Sequence, residues 1–307
     1  MTSIAIQTRE LARSYRGATA LDGVTLDIQA DVITGLLGRN GAGKTTLMSL
    51  LTAQDRPSSG SVTIDGHDPF ERAETIERMC FVRDNQRYPD DYKLKHAIQA
   101  ARIFYPNWSQ ELADRLIAQF RIPAKPIVKK FSRGQLSALG IVLGLASRAP
   151  ITFFDEPYLG LDATARSIFY DELLRDYVEH PRTIILSTHL IDEMDRLLER
   201  VIVLDQGRVV RHADVEELRG GAYQVAGKAA GLTEFLVGRP VLSRRGIGGL
   251  ASAVVSEPPT PDARAAAEGA GLEITPVSLQ DLVAAYGLGD DAQAAATDSP
   301  HAEGISS

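Results

Sequence analysis

The sequence predicts an α/β fold: a parallel sheet wound with crossover helices, an antiparallel β layer before it, a helical subdomain within it and a small C-terminal domain after it. Three observations lead there. The run Gly38-Arg39-Asn40-Gly41-Ala42-Gly43-Lys44-Thr45-Thr46 fits G-x-x-x-x-G-K-[ST] and follows the apolar run 32–37, which is the strand, loop and helix order such a loop requires. Beyond residue 130, apolar runs at 151–154 and 183–187 alternate with helical stretches at 136–146, 163–178 and 190–198. That alternation is the mark of parallel strands joined by crossovers. Between the two regions, 93–130 changes to helical period, with Leu112, Leu116, Ile117 and Phe120 on one face.

At the start, 4–9 and 20–28 alternate like strands about the turn Arg16-Gly17, and 61–64 followed by Asp65-Gly66 adds a third strand to that antiparallel layer. The helical subdomain covers about 84–130. Gly220-Gly221 marks a boundary, because periodicity fades and Gly and Ala rise beyond it. The main domain is therefore read as 1–220 and a small accessory domain as 221–288, closing on a helix 279–286 with Ser278 as N-cap, Asp281 three residues on and Val277 as a staple. The stretch 289–307 is polar and alanine-rich without apolar period, the composition of a disordered tail. No internal repeat is visible.

Composition narrows the function. With 307 residues, 44% of them hydrophobic, the chain can bury a full core. A formal charge of -7 argues against nucleic acid as the partner. Cys80, the only cysteine, excludes an intrachain disulfide and a cysteine-rich zinc site, and fits a reducing cytoplasm. Residues 1–9 lack the basic and apolar runs of a secretion signal, and no apolar stretch approaches the roughly 18 to 20 residues that span a bilayer. The expectation is a soluble chain that docks on a membrane protein.

The chemistry-bearing residues fall at strand ends. Glycines turn consecutive N–H groups toward one point, Lys44 reaches β- and γ-phosphates, Thr45 can ligate Mg²⁺, and the following helix adds its positive end. The apolar run 151–154 ends in Asp155-Glu156, carboxylates suited to holding Mg²⁺ and to polarising a water; such a pair is also commonly just solvated. His189 ends the neighbouring strand, where a polar side chain points into the same crevice, although a lone histidine is more often a cap or filler. Phe131-Ser132-Arg133-Gly134-Gln135 opens a helix, and Ser132 with Gln135 is a capping box that would start any helix as well as an anion site.

Together and in this order these residues resemble the nucleotide-binding subunit of ABC transporters, a P-loop NTPase family, over 1–220. The resemblance implies ATP and Mg²⁺ as cofactors. It implies that Gly38, Asn40, Gly41, Ala42, Gly43, Lys44, Thr45 and Thr46 hold the phosphates and that Thr45 and Asp155 hold Mg²⁺. Glu156 is then the catalytic glutamate and His189 the switch histidine, with Lys44 offsetting charge on the transferring phosphoryl. Ser132, Gly134 and Gln135 form the signature, Asp162 is the D-loop aspartate, and Tyr15 stacks on adenine. Two departures stand out. Arg133 replaces a signature glycine and either approaches phosphate or, as favoured, projects to solvent. The Q-loop glutamine position, after Cys80-Phe81-Val82-Arg83, holds Asp84, so either Asp84 reaches toward Mg²⁺ or the loop is shifted and Gln86 serves. An acidic residue there would steepen the Mg²⁺ dependence of hydrolysis.

The resemblance further implies a second ATP-binding subunit, identical or different, and a transmembrane permease subunit that would hold this chain at the cytoplasmic face of the membrane. A groove near 88–108 would receive the permease, with Trp108 either in it or in ordinary packing. The single nucleotide domain with a C-terminal appendage resembles ATPases paired with ABC-2-type permeases, mainly exporters. The alternative is a soluble ABC-type ATPase acting on ribosomes or DNA; the paired nucleotide domains, coiled coils or zinc cysteines of those classes are not seen in the sequence. A nucleotide-binding regulator without turnover is disfavoured by the presence of Lys44, Asp155, Glu156 and His189.

Overall fold

The computed structural model describes residues 3–70, 72–84 and 86–287, and the chain divides into two compact units, Met1–His212 and Ala213–Ser307. In the first unit the elements run β1 (Ile4–Tyr15), β2 (Ala18–Gln29), β3 (Ile33–Leu37), α1 (Lys44–Leu51), β4 (Ser59–Ile64), α2 (Ala73–Ile76) and β5 (Met79–Arg83). The helical segment follows as α3 (Leu94–Phe104), α4 (Gln110–Gln119) and the 3-10 turn Val128–Lys130. Then come α5 (Arg133–Ser147), β6 (Ile151–Asp155), α6 (Ala163–Glu179), β7 (Thr183–Ser187), α7 (Ile191–Met194), β8 (Arg200–Asp205) and β9 (Arg208–Asp214).

Two sheets form this unit. The antiparallel layer has the order β2-β1-β4, and the larger sheet has the order β5-β6-β7-β3-β8-β9. Within the larger sheet β5, β6, β7, β3 and β8 pair in parallel. Every residue of β3, β6 and β7 is buried, as strands covered on both faces must be. Because β7 lies between β3 and β6, the loops leaving all three emerge side by side at the C-terminal edge. Crevices for ligands form at that edge.

Two elements differ from the sequence pattern. β1 continues to Tyr15 instead of ending near residue 9, because Glu10 adopts a φ of 47° and the register with β2 shifts between Thr8 and Leu11. The bulge resets the alternation, and Leu11 is again fully buried. The helix expected over 190–198 spans only Ile191–Met194, after which the Leu197 N–H closes back on the Met194 carbonyl at 2.8 Å in a tighter turn.

Buried charges tie the helical segment to the sheet layer. Glu172 on α6 is 2% exposed and accepts from Arg115 at 3.1 Å and Gln119 at 3.0 Å, both on α4. Asp176, one turn further along α6, meets Arg148 just after α5 at 2.8 Å and Arg182 just before β7 at 2.8 Å. Burial alone would push the Arg182 guanidinium toward neutrality, and Asp176 opposes that.

The second unit holds α8 (Val215–Gly220), β10 (Tyr223–Lys228), α9 (Ala229–Phe235), β11 (Val241–Ile247), β12 (Leu250–Val255), α10 (Pro261–Gly269), β13 (Leu272–Pro276) and α11 (Leu279–Tyr286). Its sheet is antiparallel in the order β11-β12-β10-β13, over a core containing Tyr223, Val225, Leu232 and Val255. It begins before the Gly220-Gly221 pair, since Asp214 caps α8 and Val215 and Leu218 are buried. Ser278 caps α11 by accepting from the Asp281 N–H at 3.0 Å, while the Asp281 carboxylate takes the Ser278 hydroxyl at 2.9 Å and not its N–H. The tail expected over 289–307 lies outside the described residues. Among the described residues no helix is long and apolar enough to cross a membrane.

Asp176→Ala leaves Arg182, which is 4% exposed, without its carboxylate. Chemical denaturation of the variant is expected to show a loss of about 3–5 kcal/mol, the usual cost of orphaning a buried charge.

Candidate functional site

The loop after β3 needs glycine at Gly43 on two counts. Its φ is 104°, and a Cβ there would lie 2.6 Å from the Ala20 carbonyl oxygen. Gly43 hands the chain to α1, whose first residue, Lys44, is buried at 7% exposure. The Lys44 ammonium donates to the Gly38 carbonyl at 2.7 Å and the Arg39 carbonyl at 3.1 Å. Burial pushes its pKa down, while Glu156 and Asp155 pull it back up.

Asp155, at the end of β6, joins the three strand ends. Its Oδ2 accepts from Thr45 Oγ1 at 2.8 Å and its Oδ1 from Ser187 Oγ at 2.7 Å. The same Ser187 hydroxyl accepts the Glu156 N–H at 3.0 Å. Glu156 has a φ of 49°, a left-handed conformation that costs a β-carbon residue about 1–3 kcal/mol and that collects at functional sites. Its Oε2 lies 2.7 Å from His189 Nδ1 and also accepts the Tyr158 hydroxyl. Among the described residues nothing bonds Oε1.

An open pocket of about 220 Å³ is lined by Ala20, Asn40, Gly41, Gly43, Lys44, Thr45, Thr46, Asp155 and Glu156. Gly38 and Ala42 support the loop from behind, the first through its carbonyl to Lys44 and the second in the core. Thr45 and Asp155 present hard oxygen donors at one point, the chemistry Mg²⁺ selects. Among the described residues no group of three His, Cys, Asp or Glu could hold a metal, so a cation here would fill its shell with water and phosphate oxygens.

Other residues singled out in the sequence stand apart from this pocket. Ser132 caps α5 in a full capping box: its hydroxyl accepts the Gln135 N–H at 3.2 Å and its N–H donates to Gln135 Oε1 at 3.0 Å. Gly134 lies so near the loop after β6 that a Cβ would sit 2.5 Å from the Gly160 oxygen. Asp162 caps α6 through the Ala165 N–H at 2.8 Å. Tyr15 is 43% exposed; its hydroxyl donates to Asp55 at 2.5 Å and Arg13 lies 4.5 Å over its ring. None of these lines the pocket.

The two departures meet. Arg133, expected in solvent, pairs with Asp84 at 2.9 Å. Asp84 is thereby engaged by a guanidinium and is not among the pocket residues, so the arrangement differs from an Asp84 turned toward Mg²⁺. The reason is positional: Asp84 follows the last residue of β5, and Arg133 is the first residue of α5, which packs on that strand. Gln86 lines a different cavity of about 200 Å³, walled by Phe81, Tyr88, Tyr92, Phe104 and Tyr105. Trp108 is outside that cavity, its Nε1 donating to Gln110 at 3.1 Å.

Sequence reasoning missed Ser187 and Tyr158. Ser187 carries a signal in hindsight, a hydroxyl closing an otherwise apolar run in register with Asp155. Tyr158 carries none, because one aromatic in a loop has no period.

A family model described as ABC transporter matches residues 21–159. The daunorubicin/doxorubicin resistance ATP-binding protein DrrA of Streptomyces peucetius is 31% identical over 221 residues, which cover 70% of this chain and 67% of that protein. Among solved structures, an ATP-binding subunit of an ABC transporter superposes with a TM-score of 0.63 at 22% identity, over 70% of this chain and 92% of that one. The ATP-binding cassette MJ0796, a dimer in a post-hydrolysis state bound to ADP and Pi, superposes with a TM-score of 0.59 at 24% identity, over 68% of this chain and 98% of that one. These two likenesses establish the fold.

The ion pair predicts a separation of roles. Asp84→Ala is expected to leave unchanged the Mg²⁺ concentration that gives half the maximal ATPase rate, whereas Thr45→Ala raises it. A Mg²⁺ titration of the two variants checks this, and a shift for Asp84→Ala alone would restore a metal-facing Asp84.

Proposed function

The chain belongs to the ABC transporter family as an ATP-binding protein, and we propose that it hydrolyses ATP, at a site completed by a second ATP-binding subunit, to drive export through an ABC-2-type permease. One observation carries the reading: Lys44, Thr45, Asp155, Glu156 and His189 converge at the adjoining ends of β3, β6 and β7.

Each group has a task. Lys44 and the N–H groups of the glycine loop hold the phosphates, and the buried ammonium gains strength from low local polarity. Thr45 and Asp155 would hold Mg²⁺, which neutralises phosphate oxygens when bound. Glu156, with Oε2 occupied by His189 and Tyr158, keeps Oε1 for a water that it orients and deprotonates as that water attacks. His189 offsets charge on the phosphoryl in transfer.

Pairing is supported by what the pocket lacks. Ser132 and Gly134 lie away from it, as a half-site requires if a second copy supplies its own signature across the nucleotide. The dimeric state of MJ0796 is consistent with this. Export is supported by the relative whose name speaks of drug resistance. Docking of a permease is supported by the apolar cavity beside α3, with Phe104 70% exposed at its wall and Ile103 75% exposed next to it. A permease would hold the chain at the cytoplasmic face of the membrane.

Glu156→Gln is expected to bind MgATP and lose turnover by on the order of 10²–10⁴-fold, and ATP should then lock the pair together. Gel filtration with ATP beside an ATPase assay tests both; wild-type turnover in the variant would sink the assignment. Lys44→Ala should instead weaken nucleotide binding, measured by calorimetry. Purification from detergent-solubilised membranes should bring a multi-span protein with the chain, and recovery with ribosomes in its place would favour a soluble role.

A further inference from the structure

We propose that Tyr158 is a positioning residue for hydrolysis: its hydroxyl fixes the Glu156 carboxylate so that Oε1 alone faces the reacting water. The inference rests on the reading of Glu156 as the group that orients that water.

Tyr158 is 2% exposed, and a buried phenol must satisfy one hydrogen and up to two lone pairs. The accounting here closes. The backbone N–H of His189 donates to the phenol oxygen at 2.9 Å. Thr188 Oγ1 lies 2.8 Å away and accepts the Leu190 N–H at 2.9 Å, which leaves it one hydrogen and one lone pair to offer the phenol. Glu156 Oε2 settles the direction: a carboxylate oxygen has no hydrogen to give, so the phenol donates to it and Thr188 donates to the phenol oxygen. His189 Nδ1, 3.2 Å from the phenol, gives its own hydrogen to the same carboxylate oxygen. Glu156 therefore receives the phenolic hydrogen. Burial pushes the hydroxyl pKa well up, which keeps this hydrogen in place. The ring stands edge-on to His189 with centroids 5.6 Å apart, so phenol, imidazole and carboxylate hold one another in a single arrangement.

Glutamate has three side-chain torsions, and Glu156 starts from a left-handed backbone that does not dictate them. Two contacts on Oε2 select the rotamer. Removal of the phenol leaves one, and the carboxylate can swing from the line of attack. Nucleotide binding is made elsewhere, by the loop and Lys44, so the loss falls on turnover.

The test uses the full chain. Tyr158→Phe is expected to lower kcat by on the order of 10- to 100-fold at unchanged KM for ATP, the scale of a misplaced catalytic group. On a Glu156→Gln background the same substitution should cost nothing further, because both act through one carboxylate. An unchanged kcat, or a loss in the double variant equal to the product of the single ones, would overturn the proposal. If Tyr158→Phe does not fold, Thr188→Val decides: a smaller kcat loss at constant KM is expected, and no loss overturns it. Wild-type turnover in Glu156→Gln would instead refute the hydrolysis reading, and the role of Tyr158 with it.

Discussion

The carboxylate of Asp155, shared between Thr45 and Ser187, is the contact on which the arrangement depends. It binds the helix after β3, the end of β6 and the end of β7 into one cluster, with both oxygens used. Ser187 then passes the constraint to the Glu156 backbone. Glu156 in turn gathers Tyr158 and His189. Removal of the aspartate would leave the buried Ser187 hydroxyl, the exposed Thr45 hydroxyl and a strained glutamate without a common anchor. A buried polar cluster satisfied throughout specifies geometry, and one left half satisfied is worse than an apolar core.

Much of this was legible in the sequence, and for a physical reason. Period-2 and period-3.6 patterns report burial, and burial is what made β3, β6, β7, α4 and α11 visible. Polar residues at the ends of apolar runs, Asp155-Glu156 and His189, mark where strands leave the sheet. What escaped was set by contacts without period. The bulge at Glu10 hides the continuation of β1, the tightening after Met194 shortens a helix the pattern extends, and the Tyr158 hydroxyl meets Thr188 and His189 some thirty residues on in sequence.

Arg133 and Asp84 illustrate the same limit from the other side. Read singly, each departs from the family pattern and invites its own explanation. Read as a pair at 2.9 Å, each accounts for the other: a guanidinium at the start of α5 is matched by a carboxylate at the end of β5. With Arg133 largely exposed, the pair adds little stability. Its interest is in charge, since a guanidinium lies 2.9 Å from the carboxylate that follows β5.

The near-contact of Gly134 with the Gly160 oxygen has a mechanical consequence. Where two segments touch through side chains, rotamer changes absorb small displacements; where backbone meets backbone there is nothing to yield. The start of α5 and the loop just past Glu156 therefore meet with no side chain of Gly134 or Gly160 between them. A tilt of that helix toward the loop would press on the Gly160 backbone, in the segment that leads back to the carboxylate end of β6.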